Sequence, residues 1–361
     1  MNLPSENEKY EIAEQLLGIS LDPLKPISLF TTYFNYYESI ICPSFTKDTV
    51  VDIVTPVLQG HSDVLSYARL LCEKNTSSRD EIVAEWFPNR TSTAAEREHI
   101  SRSIVNVAFM IDCNERDYYP EGYHENGQRA KWDGSQSFLH FLEKSFPYEK
   151  DDTDVTLGGK TSLKAWKLSK RYGISIRGTD NLLEHLAYNP REQTLTVFHH
   201  VEYLRSNLRR SRDASLEDGF ANSLKLRTLP PQLLFETILS IHSILFPIAS
   251  SGNKRSISLL KKCIRTQKLD KELLWVDFVR PVPSDFTFRY WGRRLEKLQE
   301  LTRRPPPRNS MMAWFERHTS ERNALTAAII GLFLTALFGF LGVVVGVLQL
   351  VASWLALQQQ N

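Results

Sequence analysis

His199-His200 is the one adjacent histidine pair in the chain, with His185 a short way before it. Two imidazoles and a carboxylate at about 2.0–2.2 Å from a common point would make a zinc-type centre. The pair closes the β-branched stretch "TLTVFH", and successive residues of a strand point to opposite faces. The expectation is therefore one histidine in the core and one in solvent, with no metal. Asp112-Cys113 follows the apolar "VNVAFMI", a place where a nucleophile could stand. A nucleophilic cysteine needs a base, and no Cys–His signature accompanies it, so a buried packing cysteine is expected. GxGxxG, Walker, GxSxG and HExxH patterns are all missing from the sequence. The residues present point to no catalytic activity and no cofactor.

The elements around these residues read as mainly α, with a small α+β portion. Ser5/Glu8, Ser78/Glu81 and Thr93/Glu96 have the spacing of capping boxes and predict three helix starts. Ser62–Glu73 and Gly134–Ser145 carry apolar residues at helical spacing. Residues 1–148 form a helical N-terminal part, and the polar, acidic run 149–160 reads as a linker. In 161–283, "SLKAWKLSKRYG", "ISI", "NLLEHLAY", "TLTVFH" and "VEYLRSNLRR" alternate helix and strand, as in a winged-helix-like module. Its Arg205, Arg209, Arg210 and Arg212 would suit nucleic acid. The net charge over 361 residues is only +2, which lacks a binding domain's basic bias, so a solvated basic face and no nucleic-acid partner are expected. Four scattered cysteines without CxxC indicate reduced thiols rather than a disulfide framework. The sequons at Asn75 and Asn89 read as chance matches.

From Ala324 to Leu357 no residue is charged. About 20 apolar residues cross a bilayer as a helix, so 324–357 is a transmembrane helix and the bilayer is a partner. "LLFETILSIHSILFPI", Leu233–Ile248, is shorter and holds Glu236 and His242, so it reads as a buried core helix. Arg303, Arg304, Arg308, Arg317 and Arg322 precede the span and only "QQQN" follows it. Positive flanks stay cytoplasmic. The head is expected in the cytosol, with insertion as a tail anchor into the endoplasmic reticulum or another secretory endomembrane. The first twenty residues lack the apolar core of a secretory signal.

Gly331, Thr335, Gly339, Gly342, Gly346, Gln349 and Ser353 recur every three or four residues, which places small and polar side chains on one helical face. Gly342-Val-Val-Val-Gly346 is a GxxxG pattern. That face is the expected contact with a second copy or another membrane helix. Before the span, Ser284 is a good N-cap, and Phe288, Trp291, Leu295 and Leu298 form an apolar seam. An amphipathic juxtamembrane helix is expected over 284–304, and a Pro/Arg-rich linker over 305–323.

"SLKAWKLSKRYGISIRGTDNLLEHL", "VFHHVEYLRSNL", "LPPQLLFETILSIHSILFP" and "YWGRRLEKLQEL…RPPPR…W", followed by an apolar helix, resemble a widespread group of filamentous-fungal membrane proteins. Some members carry the label of CorA-like magnesium transporter. The resemblance implies a stalk-and-membrane layout. CorA transporters have two spans joined by Gly-Met-Asn, whereas this chain has one span and no such tripeptide. Three functions follow. The leading one is a tail-anchored, single-pass protein with a cytosolic interaction or scaffolding head. The alternatives are a subunit of an oligomeric ion channel or CorA-like transporter, and an endomembrane-tethered accessory enzyme of fungal metabolism.

Overall fold

Residues 1–19, 27–42, 58–87, 93–113, 131–149, 163–248, 253–303 and 324–358 are described in the computed structural model, with side chains in the last stretch described from 331 to 355. Apart from Glu149, whose N–H donates to the Arg289 carbonyl, the sequence-predicted linkers 149–160 and 305–323 lie outside these residues. The chain divides into two units, Met1–Arg304 and Pro305–Asn361.

In the first unit, α1 (Glu6–Ile12) runs into a π turn at Ala13–Leu17. It is followed by α2 (Thr31–Ile41), α3 (His61–Glu73), α4 (Arg79–Trp86), α5 (Ala94–Phe109) and α6 (Phe138–Ser145). Next come α7 (Ala165–Tyr172), β1 (Ser175–Thr179), β2 (Tyr188–Asn189), β3 (Thr194–Phe198), α8 (Val201–Arg210) and α9 (Phe220–Lys225). The unit ends with α10 (Pro231–Leu239), α11 (Lys254–Gln267) and α12 (Gly292–Arg303). All three capping boxes form, at the starts of α1, α4 and α5. Each supplies side-chain acceptors for amide donors that the helix itself leaves open.

Tyrosines join the N-terminal helices to α8. Tyr33 Oη donates to the Val107 carbonyl at 2.9 Å and Tyr203 Oη to that of Ala108 at 3.1 Å. Their rings stack at 6.2 Å. The sheet has the order β1-β3-β2, with β1 parallel and β2 antiparallel to β3. The expected helix over "NLLEHLAY" is only a 3-10 turn, Leu182–Glu184, leading into β2, so the winged-helix alternation does not form.

The basic face also differs from expectation. Arg205 is buried and pairs with Glu202, as does Arg209, which also pairs with Asp277. Arg205 further donates to the Asp277 carbonyl. These guanidiniums cross-link the interior rather than forming a solvated face. Their long stems and planar forks suit buried carboxylates and carbonyls.

Leu233–Ile248 is a core element, as expected: α10 and the π-helical turn Ser240–Leu245 that continues it are buried almost throughout. Buried Glu236 corrects the expected helix over 284–304. Its carboxylate accepts the main-chain N–H groups of Arg289, Tyr290 and Trp291. These amides face Glu236, and the helix begins only at Gly292.

The second unit contains α13 (Ala324–Gln358), one uninterrupted helix. Its stretch Gly331–Leu355, 25 residues, is long and apolar enough to cross a membrane, and none of it is buried. The chain is thus mainly helical, with a small sheet and a C-terminal candidate membrane span.

Candidate functional site

Asp180 follows β1 directly, and His199-His200 follow β3. The parallel register pairs Thr179 with Phe198, which sets the next residues of both strands side by side. His199 Nε2 lies 3.1 Å and His200 Nε2 2.6 Å from the same oxygen, Asp180 Oδ1. The two imidazoles stack at 4.3 Å. Both are buried, whereas the Asp180 side chain is 45% exposed.

The alternation argument for this pair therefore fails. β3 ends at Phe198, and the histidines sit in the turn before α8, where strand parity no longer applies. Asp180 carries no local sequence signal for this role. The parallel pairing of β1 with β3 makes it a ligand-type neighbour, and no local pattern encodes that pairing.

Proton positions follow from the surroundings. The amide N–H of Asp270 points at His199 Nδ1, 3.3 Å away. That nitrogen is an acceptor, so Nε2 carries the proton and donates it to Asp180. Burial, then neighbouring His199, lowers His200 to about 4, so it is neutral at physiological pH. Its Nε2 donates to Asp180, and its buried Nδ1 has no hydrogen-bond partner among the described residues. Burial opposes charge on Asp180, but the bonds from His199 and His200 outweigh it and hold the carboxyl well below its usual range. Burial pushes Asp270 up to about 6.

The donor set resembles a two-histidine, one-carboxylate metal centre in composition. A metal on His199 Nε2 would move its proton to Nδ1, against the Asp270 N–H. Metal-bound histidines instead give that proton to an acceptor. The arrangement suits a hydrogen-bonded clamp, in which one carboxylate ties the ends of β1 and β3 to the Asp270 segment.

Cys113, the other chemistry-bearing candidate, is fully buried, and burial raises its thiol to about 12. It is a packing cysteine, as expected. Cys42, Cys72 and Cys263 are also free and buried.

The expected seam lies inside the head. Phe288, Trp291, Leu295 and Leu298 are all buried. Trp291 Nε1 donates to Thr237 Oγ1 at 2.8 Å, and its ring meets His185 and Phe146 edge-on. The seam therefore packs on the head's own core. On α13, Gly331, Thr335, Gly339, Gly342, Gly346, Gln349 and Ser353 are exposed. A Cβ at any of the four glycines would meet nothing within 4 Å. Thr335 and Ser353 hydroxyls donate to the carbonyls of Gly331 and Gln349, which satisfies both within the helix.

No protein-family model, curated protein or solved structure matches this chain.

Proposed function

We propose that this is a single-pass membrane protein of the secretory endomembranes. Helix α13 crosses the bilayer, and the Met1–Arg304 head stands in the cytosol as an interaction or scaffolding module. The observation that carries the reading is the 25-residue stretch Gly331–Leu355, uncharged and exposed throughout. At 1.5 Å per residue it spans about 37 Å, enough for a hydrocarbon core of about 30 Å. Exposing that much apolar surface to water is strongly unfavourable. The arginines before the helix favour retention of the head on the cytosolic side. The head's reactive side chains support an interaction role over catalysis: Asp180, His199, Glu202, Arg205 and Glu236 bond to one another or to backbone.

Alkaline carbonate extraction tests the anchor. The full chain is expected to stay in the membrane pellet, and a chain lacking Ala324–Asn361 to move to the supernatant as a folded protein. Retention of the deleted chain in the pellet would contradict an anchor confined to α13.

A further inference from the structure

Several partly buried cations of the head meet carboxylates, as with Arg79 on Glu98 at 2.7 Å and Arg209 on Glu202 at 2.6 Å. One open groove gathers cations that have no such partner among the described residues. It has a volume of about 580 Å³ and is lined by Glu14, Gln15, Arg69, Arg210, Lys225, Leu226 and Arg227. Four cations face one carboxylate there, and none of the four forms a salt bridge among the described residues. Arg69 instead donates to the Gln15 amide oxygen at 3.0 Å, and Lys225 to Asn222 Oδ1 at 3.1 Å.

The floor of the groove is preorganised. Arg210 Nη1 donates to the Arg227 carbonyl at 2.8 Å, and Nη2 to the carbonyls of Glu14 and Gln15 at 2.8 and 2.9 Å. Gly18 allows this approach: its φ is +69°, and a Cβ there would lie 2.1 Å from Arg210 Nε. Arg227 has a left-handed backbone, φ +55°, unusual for a residue with a side chain. That conformation turns its carbonyl onto Arg210 while its side chain lines the groove. Burial lowers the Arg210 guanidinium below its ordinary range, with Tyr203 opposing and the Arg227 charge adding to the shift, the direction expected of a buried cation. Between Gln15, Arg69 and Arg227 the groove adjoins a slot of about 10 Å³ over Cys72, room for about one water and not for an apolar chain.

We propose that this groove binds a phosphate-bearing anion, with Arg69, Lys225 and Arg227 contacting the phosphate oxygens and Arg210 supplying a fixed positive floor. Planar guanidinium forks match the oxygens of a phosphate group. The groove is open to solvent, so the ligand is held by its charged group rather than by enclosure or an apolar tail. The site does not depend on the membrane reading, because every residue in it belongs to the first unit.

The test uses the full chain in phosphatidylcholine nanodiscs. Binding is followed calorimetrically with inorganic pyrophosphate in one arm and water-soluble dibutanoyl phosphatidylinositol 4-phosphate in the other. Saturable binding is expected in at least one arm. Saturation by pyrophosphate would identify a soluble phosphate compound as the ligand class, and saturation by the lipid analogue alone a headgroup. Arg227→Asn keeps a residue tolerant of positive φ and removes the charge; together with Arg69→Ala it should weaken binding at least about tenfold, the loss of one charge-assisted contact. Arg227→Lys should retain most of the affinity, and Arg171→Ala, away from the groove, all of it. Absence of saturation in both arms, or equal affinity in the Arg69/Arg227 double variant with an unchanged circular dichroism spectrum, would overturn the proposal.

Discussion

The main-chain N–H of Trp291 donates to Glu236 Oε2 at 2.9 Å, and the ring N–H of the same tryptophan donates to Thr237 Oγ1 at 2.8 Å. One residue thus docks the chain before α12 onto two consecutive positions of α10. Tyr290 shares Oε2, while Arg289 and Gln232 Nε2 share Oε1. Burial pushes the Glu236 carboxyl up to about 7, against the pull of these four donors.

Glu236→Gln should be strongly destabilising. The amide would turn an NH₂ group toward two N–H donors, leaving buried groups unsatisfied. The expected loss is on the order of 2–4 kcal/mol, read from urea unfolding followed by tryptophan fluorescence at pH 7.5. A change below about 0.5 kcal/mol, the range of an ordinary surface substitution, would contradict this account of the docking.

His242 predicts an acid sensitivity. It is buried, neither ring nitrogen has a hydrogen-bond partner among the described residues, and burial, followed by the Arg205 charge, lowers it to about 3. Its folded-state value lies below the unfolded one, so between pH 6.5 and 3 the unfolded chain binds the proton and the folded chain does not. This group therefore removes stability as pH falls, at about 1.4 kcal/mol per pH unit below about 6.5. Glu236 and Asp270, with raised values of about 7 and 6, act in the opposite direction over part of that range. The test is thus the difference between His242→Leu and the parent chain. The variant should be equally or more stable at pH 7.5 and should gain relative to the parent at pH 5.5. Parallel pH profiles would contradict the assignment.

Asp180→Asn should weaken the clamp at the ends of β1 and β3, since a neutral amide accepts less strongly from two imidazoles. A loss of about 1–3 kcal/mol is expected. Micromolar Zn²⁺ should leave the Tm of the parent chain unchanged. A rise in Tm that His199→Ala abolishes would assign the cluster to a metal instead.

Features coded within a few residues were legible in the sequence. The capping pairs at Ser5, Ser78 and Thr93, the β-branched strand ending at Phe198 and the uncharged run from Ala324 all depend on nearest neighbours or on composition. What escaped depended on long-range pairing. Asp180 meets His199 and His200 only because two strands separated by a turn and β2 lie parallel. Arg205 and Arg209 look like a basic surface until Glu202 and Asp277 close over them. Phe288 and Trp291 have helical spacing, yet Glu236, far away in sequence, takes the amides on which a longer helix would depend.

The open small-residue face of α13 leads to a prediction for the span itself. Gly342→Leu with Gly346→Leu should abolish association of the isolated span in a membrane reporter assay, because close backbone approach requires small residues. Val344→Leu should have little effect. Equal signals from the glycine variant and the parent would remove this face as a helix–helix contact.

The central claim is that α13 crosses a membrane with the head on the cytosolic side. An Asn-Gly-Thr acceptor appended after Asn361, expressed with endoplasmic reticulum membranes present, tests it most directly. Glycosylation of the appended site, with Asn75 and Asn89 unmodified, is the predicted result. Glycosylation at Asn75 or Asn89 with the appended site bare would contradict it.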